Sequence, residues 1–123
     1  APSNRYNLRL AHALVNGREP SMNAQVCFRR IGSAVPRQCV LYSSAHANSK
    51  DARATPPQPV PILLGDVLTG RGIEVEIWEQ GQMTPVAQFI ASHDNLKAAA
   101  LCMGLKLSSS NTDTKVLVFL DDP

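Results

Sequence analysis

The stretch that most constrains this chain is its last, "TKVLVFLDDP". Residues 116–120 are apolar without a break, and two aspartates and a proline then end the run. Side chains of a strand point alternately to opposite faces, so an unbroken apolar strand is the pattern of a sheet covered on both sides. Helices are the usual cover, and such a strand is expected at the centre of a parallel sheet.

The rest of the chain can be read for elements that would supply that cover. The opening "APSNRYNLRLAHALVNG" carries Tyr6, Leu10, Ala13 and Leu14 at helical spacing. Ser3 or Asn4 can cap a helix running to residue 16, and Gly17 suits the position just past its end. His12, beside this stripe, reads as a helix-face or core histidine. "NAQVCFRR" alternates, with Ala24, Val26 and Phe28 on one face and Gln25, Cys27 and Arg29 on the other, which predicts a strand. "QCVLYSS" predicts a second, separated from the first by the loop "IGSAVPR".

Residues 43–61 are polar and then proline-rich, the composition of a long mobile loop. Pro61 suits the first turn of a helix containing Ile62, Leu63, Leu64, Val67 and Leu68. "IEVEIW" is a strand, expected at a sheet edge because Glu74 and Glu76 share a face. "EQGQM" is a turn. Thr84 and Pro85 open a short helix through Val86, Phe89 and Ile90, and Ser92 caps another through Met103. "KLSSSNTDT" reads as a polar connector before the final strand.

The predicted order is therefore α β β α β α α β. Joined end to start, the last strand, the loop and the first helix make the opening βαβ of a doubly wound domain. The expected fold is a single three-layer α/β domain spanning residues 1–123. Its sheet is mainly parallel, with four to five strands and the C-terminal strand central. A circular permutant and an ordinary α/β domain whose last strand inserts centrally both give this architecture.

At that junction the chain resembles the DsrE/TusD-like sulfur-relay proteins and is also similar to the start of flavodoxin-like FMN reductases. "LLGDVLTGRGIEVEIW" resembles the DsrE-like helix, turn and third strand. The resemblance covers about half of the chain. It implies a persulfide-carrying cysteine after the third strand, where this chain has Trp78, Glu79, Gln80 and Gly81, and it implies an oligomer.

Composition sets outer bounds. A chain of 123 residues can bury its own core as one domain. A net charge of +2 with scattered Lys and Arg gives no basis for nucleic-acid binding, and no apolar run approaches a membrane span. Three cysteines, Cys27, Cys39 and Cys102, show no framework spacing, so they read as buried thiols of a cytoplasmic protein. The chain opens at Ala1 without a basic and apolar leader pattern.

Ligands of open α/β sheets bind beyond the carboxyl ends of the strands. In the predicted fold that edge gathers Asp121, Asp122, Ser3, Asn4, Arg5, Arg30, Gln82 and Thr84, with helix N-termini suited to a small anionic ligand. Cys39, close to Arg37, is the candidate catalytic thiol. No sequence feature identifies a cofactor. Three functions stay open: a DsrE-like domain in sulfur relay, a flavodoxin-like binder of a flavin, nucleotide or other phosphorylated ligand, and a non-catalytic oligomeric interaction domain.

Overall fold

A computed structural model describes residues 5–32, 34, 36–43, 60–63, 72–90, 105–108 and 113–121. These residues form eight strands and no helix. The strands are β1 (Arg5–Leu14), β2 (Gln25–Arg30), β3 (Gln38–Leu41), β4 (Val60–Leu63), β5 (Ile73–Trp78), β6 (Ala87–Ile90), β7 (Leu105–Ser108) and β8 (Lys115–Asp121). They make two four-stranded sheets, in the orders β4-β1-β8-β7 and β3-β2-β5-β6. Every pairing is antiparallel. The three-layer, mainly parallel α/β domain is thus replaced by a two-layer antiparallel sandwich.

One apolar core joins the sheets. Leu8, Leu10 and Ala13 of β1 and Val116 and Val118 of β8 share it with Val26 and Phe28 of β2, Val40 of β3, and Ile73, Val75 and Ile77 of β5. Burial alternates along β5, with Ile73, Val75 and Ile77 fully buried between half-buried neighbours. This is the period of two expected of a strand with one face in the core and one outward.

The first predicted helix is β1, and a bulge explains the misleading spacing. β1 pairs with β8 as Leu10 opposite Val118 and His12 opposite Leu117, so two steps on β1 meet one on β8. Ala11 is the extra residue. The bulge moves the inward set from Leu8 and Leu10 to Ala13, and the resulting three-residue step imitates a helix.

The strand is closed by a two-residue turn rather than a helix end. Val15 and Arg18 exchange backbone hydrogen bonds (2.6 and 3.0 Å), while Asn16 and Gly17 adopt φ of 51° and 80°. Asn-Gly is the pair that tolerates positive φ at both central positions of a tight hairpin turn. Asn16 N–H also donates to Thr114 Oγ1 (3.1 Å), and Gly17 N–H to the Asp113 carbonyl (3.1 Å), tying this turn to the approach to β8.

The other helical segments change class as well. Part of the helix expected from Pro61 is β4, and the short helix after Pro85 is β6. The start of the connector expected over residues 106–114 belongs to β7. The helix expected over residues 93–103 and most of the loop expected over 43–61 lie outside the described residues.

β8 is an interior strand, antiparallel to both β1 and β7. Its apolar run covers two unlike faces. Val116 and Val118 are fully buried, Leu117 is exposed, and Phe119 packs outward beneath the Arg9 guanidinium, 5.6 Å from the ring centroid. β5 is likewise interior, between β2 and β6, rather than at an edge. Its two glutamates are accommodated because the outer face of an antiparallel sheet can remain open to water.

Candidate binding surface

The outer face of the β3-β2-β5-β6 sheet is built by cross-strand register. Cys27 stands opposite both Cys39 and Glu76, Arg29 opposite Glu74, and Glu76 opposite Gln88. Cys27 and Cys39 form a disulfide, with Cα atoms 4.0 Å apart and 12 residues of sequence separation. The expected reactive thiol at Cys39 is therefore bonded to its neighbour on β2, and the reading of all three cysteines as free thiols is corrected. Both strands were legible, and both cysteines fall on their outward faces. Pairing the strands as a hairpin would have set the sulfurs side by side.

Charged and amide groups form a chain beside the disulfide. Arg29 donates through Nε and Nη2 to Glu74 Oε1 (3.2 and 3.0 Å). Gln88 Nε2 reaches both Glu74 Oε2 (3.4 Å) and Glu76 Oε2 (3.1 Å). Glu76 Oε1 accepts from Arg37 Nη1 (2.7 Å) and from the Trp78 indole N–H (3.1 Å). The Arg37 guanidinium also lies over the Trp78 ring, 4.8 Å from its centroid. Ion pairing and cation–π attraction together fix the indole in place.

Where this chain of pairs ends, a hollow of about 280 Å³ opens. Asn23, Gln25, Leu41, Trp78, Glu79, Gln80, Gly81 and Gln82 line it. Gln25 stands between Leu41 and Trp78 in the register of three adjacent strands. The rim comes from two tight turns. Gln82 N–H donates to the Glu79 carbonyl (3.2 Å) across Gly81, whose φ of 79° suits the third position of such a turn. Ala24 N–H donates to the Ser21 carbonyl (3.0 Å) across Asn23, at φ 67°. Ser21 Oγ bonds Glu79 Oε2 (3.1 Å), joining the two turns.

Behind the hollow, Tyr42 connects the sheets. It is fully buried, its hydroxyl accepts from Ala13 N–H (3.4 Å), and its proton can go to the Ala13 carbonyl (3.5 Å) or to Glu19 Oε1 (3.3 Å). His12 Nε2 lies 2.6 Å from the same Glu19 oxygen. Burial pushes the Tyr42 hydroxyl pKa well above its usual range; the Ala13 backbone bond opposes this and the Glu19 carboxylate adds to it.

The predicted ligand-binding edge is divided by this fold. Gln82 lines the hollow, and Thr84 lies in the same β5–β6 connection, exposed to solvent. Arg30, opposite Ile73, sits at the other end of its sheet. Arg5, opposite Leu63, and Asp121, opposite Asn7, lie at the end of the first sheet remote from Ala13 and hence from the hollow. Ser3, Asn4 and Asp122 lie outside the described residues. Among the described residues, no group of three or more His, Cys, Asp or Glu side chains could hold a metal ion, and no helix is long and apolar enough to cross a membrane.

Geometry thus defines a β-sandwich with a polar outer face and a small hollow at one end of it. Comparison with protein-family models, with curated proteins and with solved structures finds no match.

Proposed function

We propose that this chain is a non-catalytic binding domain whose binding surface is the Trp78 end of the second sheet's outer face. The observation that carries the reading is the contrast along that face. From Arg29 to Trp78 the polar side chains are committed to one another, whereas the four carboxamides at the hollow are exposed and bond to no other described side chain. Ligand sites set orienting polar groups beside apolar and aromatic walls, and here unspent donors and acceptors stand beside an aromatic ring.

The sulfur-relay and phosphorylated-ligand readings each leaned on a parallel α/β frame, and Cys39, the thiol offered for chemistry, is held in the disulfide. The interaction-domain reading needs neither. The disulfide also favours an oxidising compartment over the cytoplasm, where thiols are kept reduced.

Amide chemical-shift mapping tests the reading, using neutral disaccharides, short uncharged peptides and nucleoside monophosphates as probes. Saturable shifts confined to residues 23–25, 41 and 78–82, with every probe recovered unchanged, are expected. Shifts elsewhere only, no shifts with any probe, or turnover of a probe would overturn it.

A further inference from the structure

Resting on that reading, we infer that the hollow takes a neutral polyhydroxylated ligand, a single sugar ring or the end of a short glycan. The lining carries the inference. Asn23, Gln25, Gln80 and Gln82 supply four carboxamides, each with an acceptor oxygen and a two-proton donor. A sugar hydroxyl is also both donor and acceptor, so adjacent hydroxyls match an amide's two ends. Trp78 and Leu41 give the apolar part of the wall.

The indole contributes hydrocarbon rather than a hydrogen bond, because its N–H is already committed to Glu76. Arg37 lies against the ring and is itself paired with Glu76, so the ring is held still before any ligand arrives. A pyranose, with C–H groups on its faces and hydroxyls around its rim, fits such a wall and rim.

Charge argues in the same direction. Among the described residues, the only ionisable one lining the hollow is Glu79, and a carboxylate there opposes phosphate, sulfate or uronate groups. The volume of about 280 Å³ lies just below the ~300–1,000 Å³ typical of ligand sites, which suits one ring and not an extended polymer.

Trp78 is the sole tryptophan of the chain, so emission excited at wavelengths that tyrosine does not absorb reports on this site alone. The experiment titrates the full oxidised chain with maltose, cellobiose, lactose and chitobiose. Glucuronate and glucose 6-phosphate serve as anionic counterparts, and a short uncharged peptide as the control ligand. At least one neutral sugar should produce a saturable emission change, and anionic sugars should bind at least tenfold more weakly. Gln80→Ala and Gln82→Ala, both at exposed turn positions, should weaken sugar binding at least fivefold while the melting temperature stays within a degree of wild type.

A sugar response unchanged in both variants would overturn the site, and preferred binding of the anionic sugars would overturn the ligand class. Silence with every neutral sugar overturns this inference whatever else binds. If the peptide alone alters Trp78 emission, the binding-domain reading survives. If the peptide, the anionic sugars and the nucleoside monophosphates are all silent too, both fall together.

Discussion

The two sheets share one core but differ in what they present outward. The first, β4-β1-β8-β7, is dominated by its long central pair, and the described side chains on its outer side include the buried Arg9 packed on Phe119. The second carries a disulfide, two arginine–glutamate pairs and a bridging glutamine across its strands. Inward packing is common to both because burial sets it, at roughly 25 cal/mol per Å² of apolar surface. Between described residues, cross-strand arginine–glutamate pairs are found on the second sheet, and the candidate site lies where they stop.

The largest expected effect tests the shared half of the comparison. Phe28→Ala should cost about 3–5 kcal/mol through the cavity it leaves. Because residues of both sheets share the core to which Phe28 belongs, urea unfolding followed at each sheet should still show one common transition. Separate transitions would make the sheets independent units.

Removing the disulfide probes the second sheet selectively. Cys27→Ala with Cys39→Ala should lower stability by about 2–4 kcal/mol, as expected for a cross-link closing a short loop. Amide exchange should accelerate most in β2 and β3. Equal acceleration in β1 and β8 would mean that the outward pairing is not what sets the sheets apart.

Tyr42→Phe targets the link between the sheets and should cost about 1–2 kcal/mol from lost buried hydrogen bonds. Its pH signature has a definite sign. Below pH ~10 the hydroxyl is protonated both folded and unfolded, so it gives no slope. Above that the unfolded tyrosine loses its proton first, since burial raises the folded pKa, and stability falls as pH rises. Denaturation followed from pH 8 to 11 should show this alkaline loss in the wild type and a smaller one in Tyr42→Phe.

The smallest effect concerns the outward ion pairs. Arg29→Ala should cost less than about 1 kcal/mol, because the Arg29 side chain is 41% exposed and solvent screens the pair. Chemical denaturation that returned a cost comparable to Phe28→Ala would show the outer face to be a structural mainstay rather than a platform.

What the sequence disclosed depended on how regular each strand is. Cys27, Phe28 and the alternating "IEVEIW" are readable because period two is undisturbed there. β1 is not, since the bulge at Ala11 turns its pattern into a false helical stripe. Asn16-Gly17 was a hairpin signal, yet a glycine after an apolar stripe looks equally like a helix end. β4 and β6 are four residues each, too short for any period to declare itself, and a neighbouring proline suggested a helix start. β8 looked like a parallel core strand because an arginine across the sheet, Arg9, supplies cover for Phe119 that sequence order does not announce. At the candidate site, the turn at 79–82 was legible. Bringing Asn23, Gln25 and Leu41 beside it required the register of β3, β2 and β5, which is a property of pairing between distant segments.

That register can be measured directly. The alignment that sets Gln25 between Leu41 and Trp78 is the one that sets Cys27 opposite Cys39 two residues further along. Non-reducing peptide mapping of the chain, folded in air and alkylated before digestion, should recover a fragment linking Cys27 to Cys39. Recovery of both cysteines alkylated, or of either one linked elsewhere, would contradict the alignment and with it the geometry of the hollow.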